Sequence, residues 1–356
     1  MIQTIQYITI NSNNYRISNK QNRSCLQNFQ GAFNSSNIAN IEGKARKAEF
    51  CLRKIINKFF DLFKWNQNNE LINEFLKVDT KSPEYTDILR QISRQFLGNK
   101  NLEVNYENGR LTNIAMDKSP HIFILNHDNQ SKDPKMLAAF NTMLYDEYIN
   151  CGLAKSCPRP KIVLNEDILL TMNEQNRKIF EKMGAVGVDA SIYNANKQGN
   201  SKKIIRLMKE FANGNINIFI FPEGKLSILK HKPLHEKFQL GIAEVVTALT
   251  NKLKEVKVTP LGLAYGKKWQ VDSLYIGETI TFKKIDDNIC ASIGNIISPF
   301  STQEFKTFFK NKSETIITSQ GIPVKGKEQA QYVGGILCEN LRICKEEAKK
   351  AITKPI

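Results

Sequence analysis

From residue 119 to residue 282, short apolar runs alternate with stretches of helical periodicity, and this alternation limits the possible folds most. The runs are His121–Leu125, Lys161–Leu164, Ala185–Val188, Ile216–Phe221 and Val256–Ala264. Helical patterns at Lys202–Phe211 and Phe238–Leu253 separate several of them. Strand-length apolar runs joined through helices fold as a parallel sheet covered by helices, because a parallel return needs a long crossover. The expected class is therefore α/β: a mainly parallel sheet flanked by helices, with an N-terminal helical extension. Leu274–Phe282 alternates more strongly and reads as an edge strand.

The flanks differ from this centre. Residues 1–40 hold 19 Asn, Gln or Ser residues, so residues 1–43 read as a polar tract that buries little and is disordered. Residues 44–100 read as helical. Within them, 44–65 is the clearest amphipathic helix: Ala48, Cys51, Leu52, Ile55, Ile56, Phe59, Leu62 and Phe63 share one half of the wheel. Arg46, Lys47, Arg53, Lys54, Lys58 and Lys64 occupy the other half, which suits a membrane-contact segment. Packing on its own domain is the alternative. Helical patterns follow at Glu70–Val78 and Tyr85–Leu97, with Pro83 at a helix start. The α/β domain is expected over 101–300, and C-terminal helices over 301–356, at Gln303–Thr318 and Glu328–Ala351.

The net charge of +16 attracts polyanions: an anionic membrane, a phosphate-bearing substrate or nucleic acid. An RNP-like aromatic signature, a zinc finger and a defensible helix-turn-helix are all missing from the sequence, so no nucleic acid is expected. The start, MIQTIQYITI, lacks the basic beginning and continuous apolar core of a signal peptide, and no run approaches a spanning length. Seven cysteines without a CxxC pair argue against a disulfide framework and a structural zinc. The expected place is peripheral, on the cytoplasmic face of a membrane.

Two polar turns follow apolar runs. The first is Asn126-His127-Asp128-Asn129-Gln130-Ser131-Lys132-Asp133-Pro134, directly after His121–Leu125. Active groups of α/β folds stand at the carboxyl ends of strands. A His with a nearby carboxylate, Asp128 or Asp133, makes a general base, since the carboxylate fixes the tautomer and stabilises the imidazolium. A polar turn with an incidental His is the plain alternative. The second turn is Phe221-Pro222-Glu223-Gly224-Lys225, after Ile216–Phe221. Pro222 fixes the exit, Gly224 permits close backbone approach, and Glu223 and Lys225 are presented beside the strand end. Its plain alternative is a turn with solvent-facing charges. His231 and His235 have metal-ligand spacing, but Pro233 interrupts a helix there, so no metal is expected. GxSxG, GxxxxGK[ST] and a post-strand GxGxxG are all missing.

Taken together, the two turns resemble those of the glycerolipid acyltransferases, the lysophosphatidic acid acyltransferases among them. The likeness spans residues 119–282. Phe238 and Gly241, the segment Val258-Thr259-Pro260-Leu261, the segment Gly277-Glu278-Thr279-Ile280, and Gly184 to Asp189 fit further family motifs in order. The resemblance implies an O-acyltransferase of phospholipid biosynthesis. It would move a fatty acyl group from acyl-CoA or acyl carrier protein to a lysophospholipid or glycerol phosphate, with no cofactor. His127 would be the base and Asp133 its orienting carboxylate, while Pro222, Glu223, Gly224 and Lys225 would border the acceptor phosphate. Three departures stand out. Five residues lie between His127 and Asp133 where the family has four, Ala190 follows Asp189 where Arg is usual, and Lys225-Leu226 replaces Thr-Arg. The alternative function is a catalytically weakened relative serving as a lipid-binding or membrane-scaffold protein.

Overall fold

The computed structural model describes residues 70–80, 82–97, 102–105, 110–129, 132–188, 197–223, 234, 238, 241–266, 272–285, 288–293, 296–297 and 327–353. All of them fall in the compact unit Asn68–Ile356. The expectations for 1–43, for the amphipathic helix 44–65, for Gln303–Thr318 and for Asp189, Gly224, Lys225, His231 and His235 lie outside the described residues.

The chain opens with α1 (Glu70–Lys77), α2 (Pro83–Leu97), β1 (Leu102–Asn105), α3 (Arg110–Asp117), β2 (His121–Leu125), α4 (Asp133–Asn150) and β3 (Arg159–Asn165). It continues with α5 (Glu166–Thr171), α6 (Glu174–Lys182), β4 (Ala185–Val188), α7 (Lys197–Ala212), β5 (Ile216–Ile220) and α8 (Gly241–Leu253). The strands β6 (Glu255–Ala264), β7 (Asp272–Ile276), β8 (Ile280–Ile285), β9 (Asn288–Ile293) and β10 (Ile296–Ile297) follow, and then α9 (Lys327–Thr353). The described strands form one sheet, ordered β10-β9-β8-β6-β2-β5-β3-β4, with β7 pairing β1 and β6. From β6 through β2, β5 and β3 to β4 every pairing is parallel, and the β7–β10 side pairs antiparallel apart from parallel β1–β7.

The two faces of β2 show the layering. Ile122 and Ile124 enter a core with Leu207 and Phe211 of α7, Val246 and Leu249 of α8, and Val333 and Leu337 of α9. Phe123 and Leu125 enter the opposite core with Ile114 of α3 and Phe140, Leu144 and Tyr148 of α4. Alternate residues of a strand point to opposite faces, so a strand buried on both sides reads as continuously apolar.

Leu274–Phe282 is not one edge strand. It is two interior strands, β7 and β8, broken at Gly277–Thr279. The cause lies in β6, which pairs with β8 over Glu255–Val258 and with β7 over Leu261–Ala264. Pro260 sits at the change of partner, and its carbonyl accepts from Gly277 N at 2.9 Å. A strand residue points its N–H and C=O to the same side, so the donor that proline lacks falls at the break.

The described residues of 70–97 and of 327–353 fall in the same compact unit as the sheet. Ile72 and Phe75 of α1 and Tyr85, Ile88 and Ile92 of α2 are buried. Tyr145 Oη of α4 donates to Asp87 Oδ1 at 3.2 Å, and Lys182 Nζ donates to the carbonyls of Leu76 and Val78. Residues 70–97 therefore pack on the domain. α9 completes the other layer with buried Val333, Leu337, Cys338 and Leu341.

Candidate active site

The parallel pairing of β2 with β5 brings the ends of the two motif-bearing strands together, although His127 and Glu223 are 96 positions apart. Asn126 leaves β2 fully buried, and its side-chain amide behaves like one more rung of the β2–β6 ladder. Oδ1 accepts from Leu263 N at 2.6 Å and Nδ2 donates to Leu263 O at 3.0 Å. His127 then turns toward the α4 side. Its backbone N–H donates to Glu223 Oε1 at 2.8 Å, and its ring lies 4.7 Å from that of Phe221.

His127 Nδ1 is 2.5 Å from Asp133 Oδ2. The imidazole is 15% exposed and the Asp133 side chain 0%, so the base reaches solvent while its carboxylate does not. Asp133 is the first residue of α4, with Pro134 in the first turn, where a fixed φ favours helix initiation and the helix dipole favours a carboxylate. The chain gets there through a turn in which Asn129 O accepts from both Lys132 N, at 3.1 Å, and Asp133 N, at 2.9 Å. Asn129 N donates in turn to Asp133 Oδ2 at 3.1 Å. Asp128 faces the other layer, where Lys345 of α9 meets its Oδ2 at 2.7 Å and Asn126 Nδ2 donates to the same oxygen at 3.0 Å.

The second oxygen of Asp133 accepts from the Tyr265 hydroxyl, from the residue that follows β6. Burial pushes the Asp133 carboxyl up, against the hydrogen bonds from His127, Tyr265 and the Asn129 amide. Burial, and then the charge of Asp133, hold the Tyr265 phenol protonated well above its usual range, so it acts as a donor. A carboxylate accepting at Nδ1 keeps the proton on that nitrogen and leaves Nε2 with a free lone pair. A partly open imidazole backed by a buried carboxylate can take a proton from a bound hydroxyl.

The structure thus brings together His127, Asp133, Pro222 and Glu223. Pro222 and Glu223 are buried. The Glu223 carboxylate grips the His127 backbone instead of facing solvent. The sequence patterns do not mark Tyr265 or Lys345. The one available signal for Tyr265 was its place just past a buried strand. Among the described residues no cluster suits a metal ion, and no helix is long and apolar enough to cross a membrane. In comparison with known proteins, no family model matches the chain, and no curated protein does.

Proposed function

We propose that the chain is an O-acyltransferase that moves a fatty acyl group from a thioester, acyl-CoA or acyl carrier protein, to a hydroxyl of a lysophospholipid or glycerol phosphate. One observation carries this reading: a partly exposed His127 on a fully buried Asp133, at the end of a strand adjacent to the one bearing Phe-Pro-Glu-Gly. In the reaction, Nε2 of His127 takes the acceptor's hydroxyl proton as that oxygen attacks the thioester carbonyl. The carbon–sulfur bond then breaks, and the imidazolium returns the proton to the departing thiolate. Glu223 holds the His127 backbone, Asn126 ties the strand end before it to β6, and Asp133 holds its ring. The membrane surface is reached through the basic amphipathic segment 44–65, peripherally and on the cytoplasmic face.

Release of free thiol from palmitoyl-CoA tests the proposal, with lysophosphatidic acid or glycerol 3-phosphate as acceptor and the lipid product identified by mass. The parent chain is expected to form product. His127→Ala is expected to lose about 10²–10⁴-fold in turnover while keeping its fold. Near-parental turnover in the folded variant defeats the mechanism, and a parent without turnover favours the lipid-binding scaffold.

A further inference from the structure

Asp133 has two oxygens, and they are served from different parts of the chain. Oδ2 meets His127 Nδ1 and the Asn129 amide, both in the loop after β2. Oδ1 accepts from the Tyr265 hydroxyl, and that residue lies 132 positions downstream. A buried carboxylate without a partner on one oxygen either rotates or takes up a proton, and either change spoils it as a rigid acceptor. Tyr265 is itself held. Lys132 Nζ stands 5.4 Å from its ring centroid. The same ammonium pairs with Asp272 Oδ1 at 2.6 Å, and that oxygen also accepts from Gly266 N at 3.2 Å. The phenol is thus clamped between the loop after β2 and the start of β7.

We propose that Tyr265 is a positioning residue: its hydroxyl fixes the rotation of Asp133 so that His127 keeps its proton on Nδ1 and presents Nε2 to the acceptor. The role in turnover rests on the acyl-transfer reading, whereas the hydrogen-bond chain from Tyr265 through Asp133 to His127 does not. The other charged groups around this chain are Glu223 on the His127 backbone, Asp128 with its partner Lys345, and the Lys132–Asp272 pair.

The test is made on the full-length protein with two substitutions at one site. Tyr265→Phe removes the donor, and 3-fluorotyrosine at position 265 strengthens it with nearly unchanged shape. The proton on His127 Nδ1 is followed by nuclear magnetic resonance in protein carrying ¹⁵N-labelled histidine. In Tyr265→Phe the resonance is expected to broaden into exchange. With palmitoyl-CoA and lysophosphatidic acid, kcat is expected to fall about tenfold while KM stays within about twofold. In the fluorinated protein the resonance stays sharp and moves upfield, because Asp133 becomes a weaker acceptor. A resonance that 3-fluorotyrosine does not displace overturns the proposal, even where Tyr265→Phe does not fold. A folded Tyr265→Phe with parental kcat overturns the catalytic part. If the parent turns over no thioester, the acyl-transfer reading fails, and the resonance alone still decides the positioning role.

Discussion

Two carboxylates share the loop after β2, and their partners differ. Asp133 accepts at His127 Nδ1, and Asp128 pairs with Lys345. Asp133→Asn puts an amide where a pure acceptor is needed and unsettles the tautomer. It is expected to lower kcat by about 10³–10⁴-fold. Asp128→Asn is expected to cost under about tenfold, and equal losses in the thiol-release assay would reverse the assignment. A second histidine makes a different prediction. His121, at the opposite end of β2, is buried with Nδ1 3.0 Å from Thr259 Oγ1 and Nε2 3.2 Å from Asp117 Oδ2. Burial lowers its pKa from the usual 6.5, against the pull of Asp117 and together with the push of Lys257. The folded state therefore resists a proton that the unfolded chain accepts. This contribution is complete above about pH 6.5 and is lost as pH falls from there toward the folded value, with a slope of at most about 1.4 kcal/mol per pH unit. Urea titrations at pH 7.5 and 5.5 are expected to show a smaller loss for His121→Gln than for the parent, and identical losses would refute it.

At the scale of elements, α9 lies tight against the strands beneath it. A Cβ on Gly262 of β6 would lie 2.0 Å from the Cys344 carbonyl oxygen, and one on Gly277 would lie 2.4 Å from Cys344 Sγ. Backbone cannot yield as a flexible side chain can, so Gly262→Ala is expected to destabilise by at least about 1–3 kcal/mol, read from the urea midpoint. An unchanged midpoint would mean that α9 shifts freely. The apolar runs revealed β2 and β4 to the residue, because both begin and end at polar or turn-forming positions. The patterns did not reveal α4, whose apolar residues meet the sheet on one side and α2 on another, leaving no clean polar face. They also merged β7 and β8, because the break between them is set by β6. For the same reason the site was half legible. His127 and Asp133 share one loop, while Tyr265 and Lys345 join it only through the fold.

Over the whole molecule, the surplus of +16 suits contact with an anionic bilayer. The segment 41–66 contributes +4, seven Lys or Arg against three Asp or Glu. Phe59, Phe63 and Trp65 are the apolar residues that the proposed membrane contact would use. Replacing Phe59 and Phe63 together by Asp is expected to release the protein from phosphatidylserine-containing vesicles in a flotation assay and to leave it folded. A folded double variant that still floats places the anchor elsewhere, and one that unfolds assigns these rings to a core.

The stretch from His127 to Asp133 is gripped at both ends by elements outside it: Leu263 and Glu223 hold the beginning, and Tyr265 and the start of α4 hold the end. The separation of ring and carboxylate is therefore set by these outside contacts as well as by the length of chain between them.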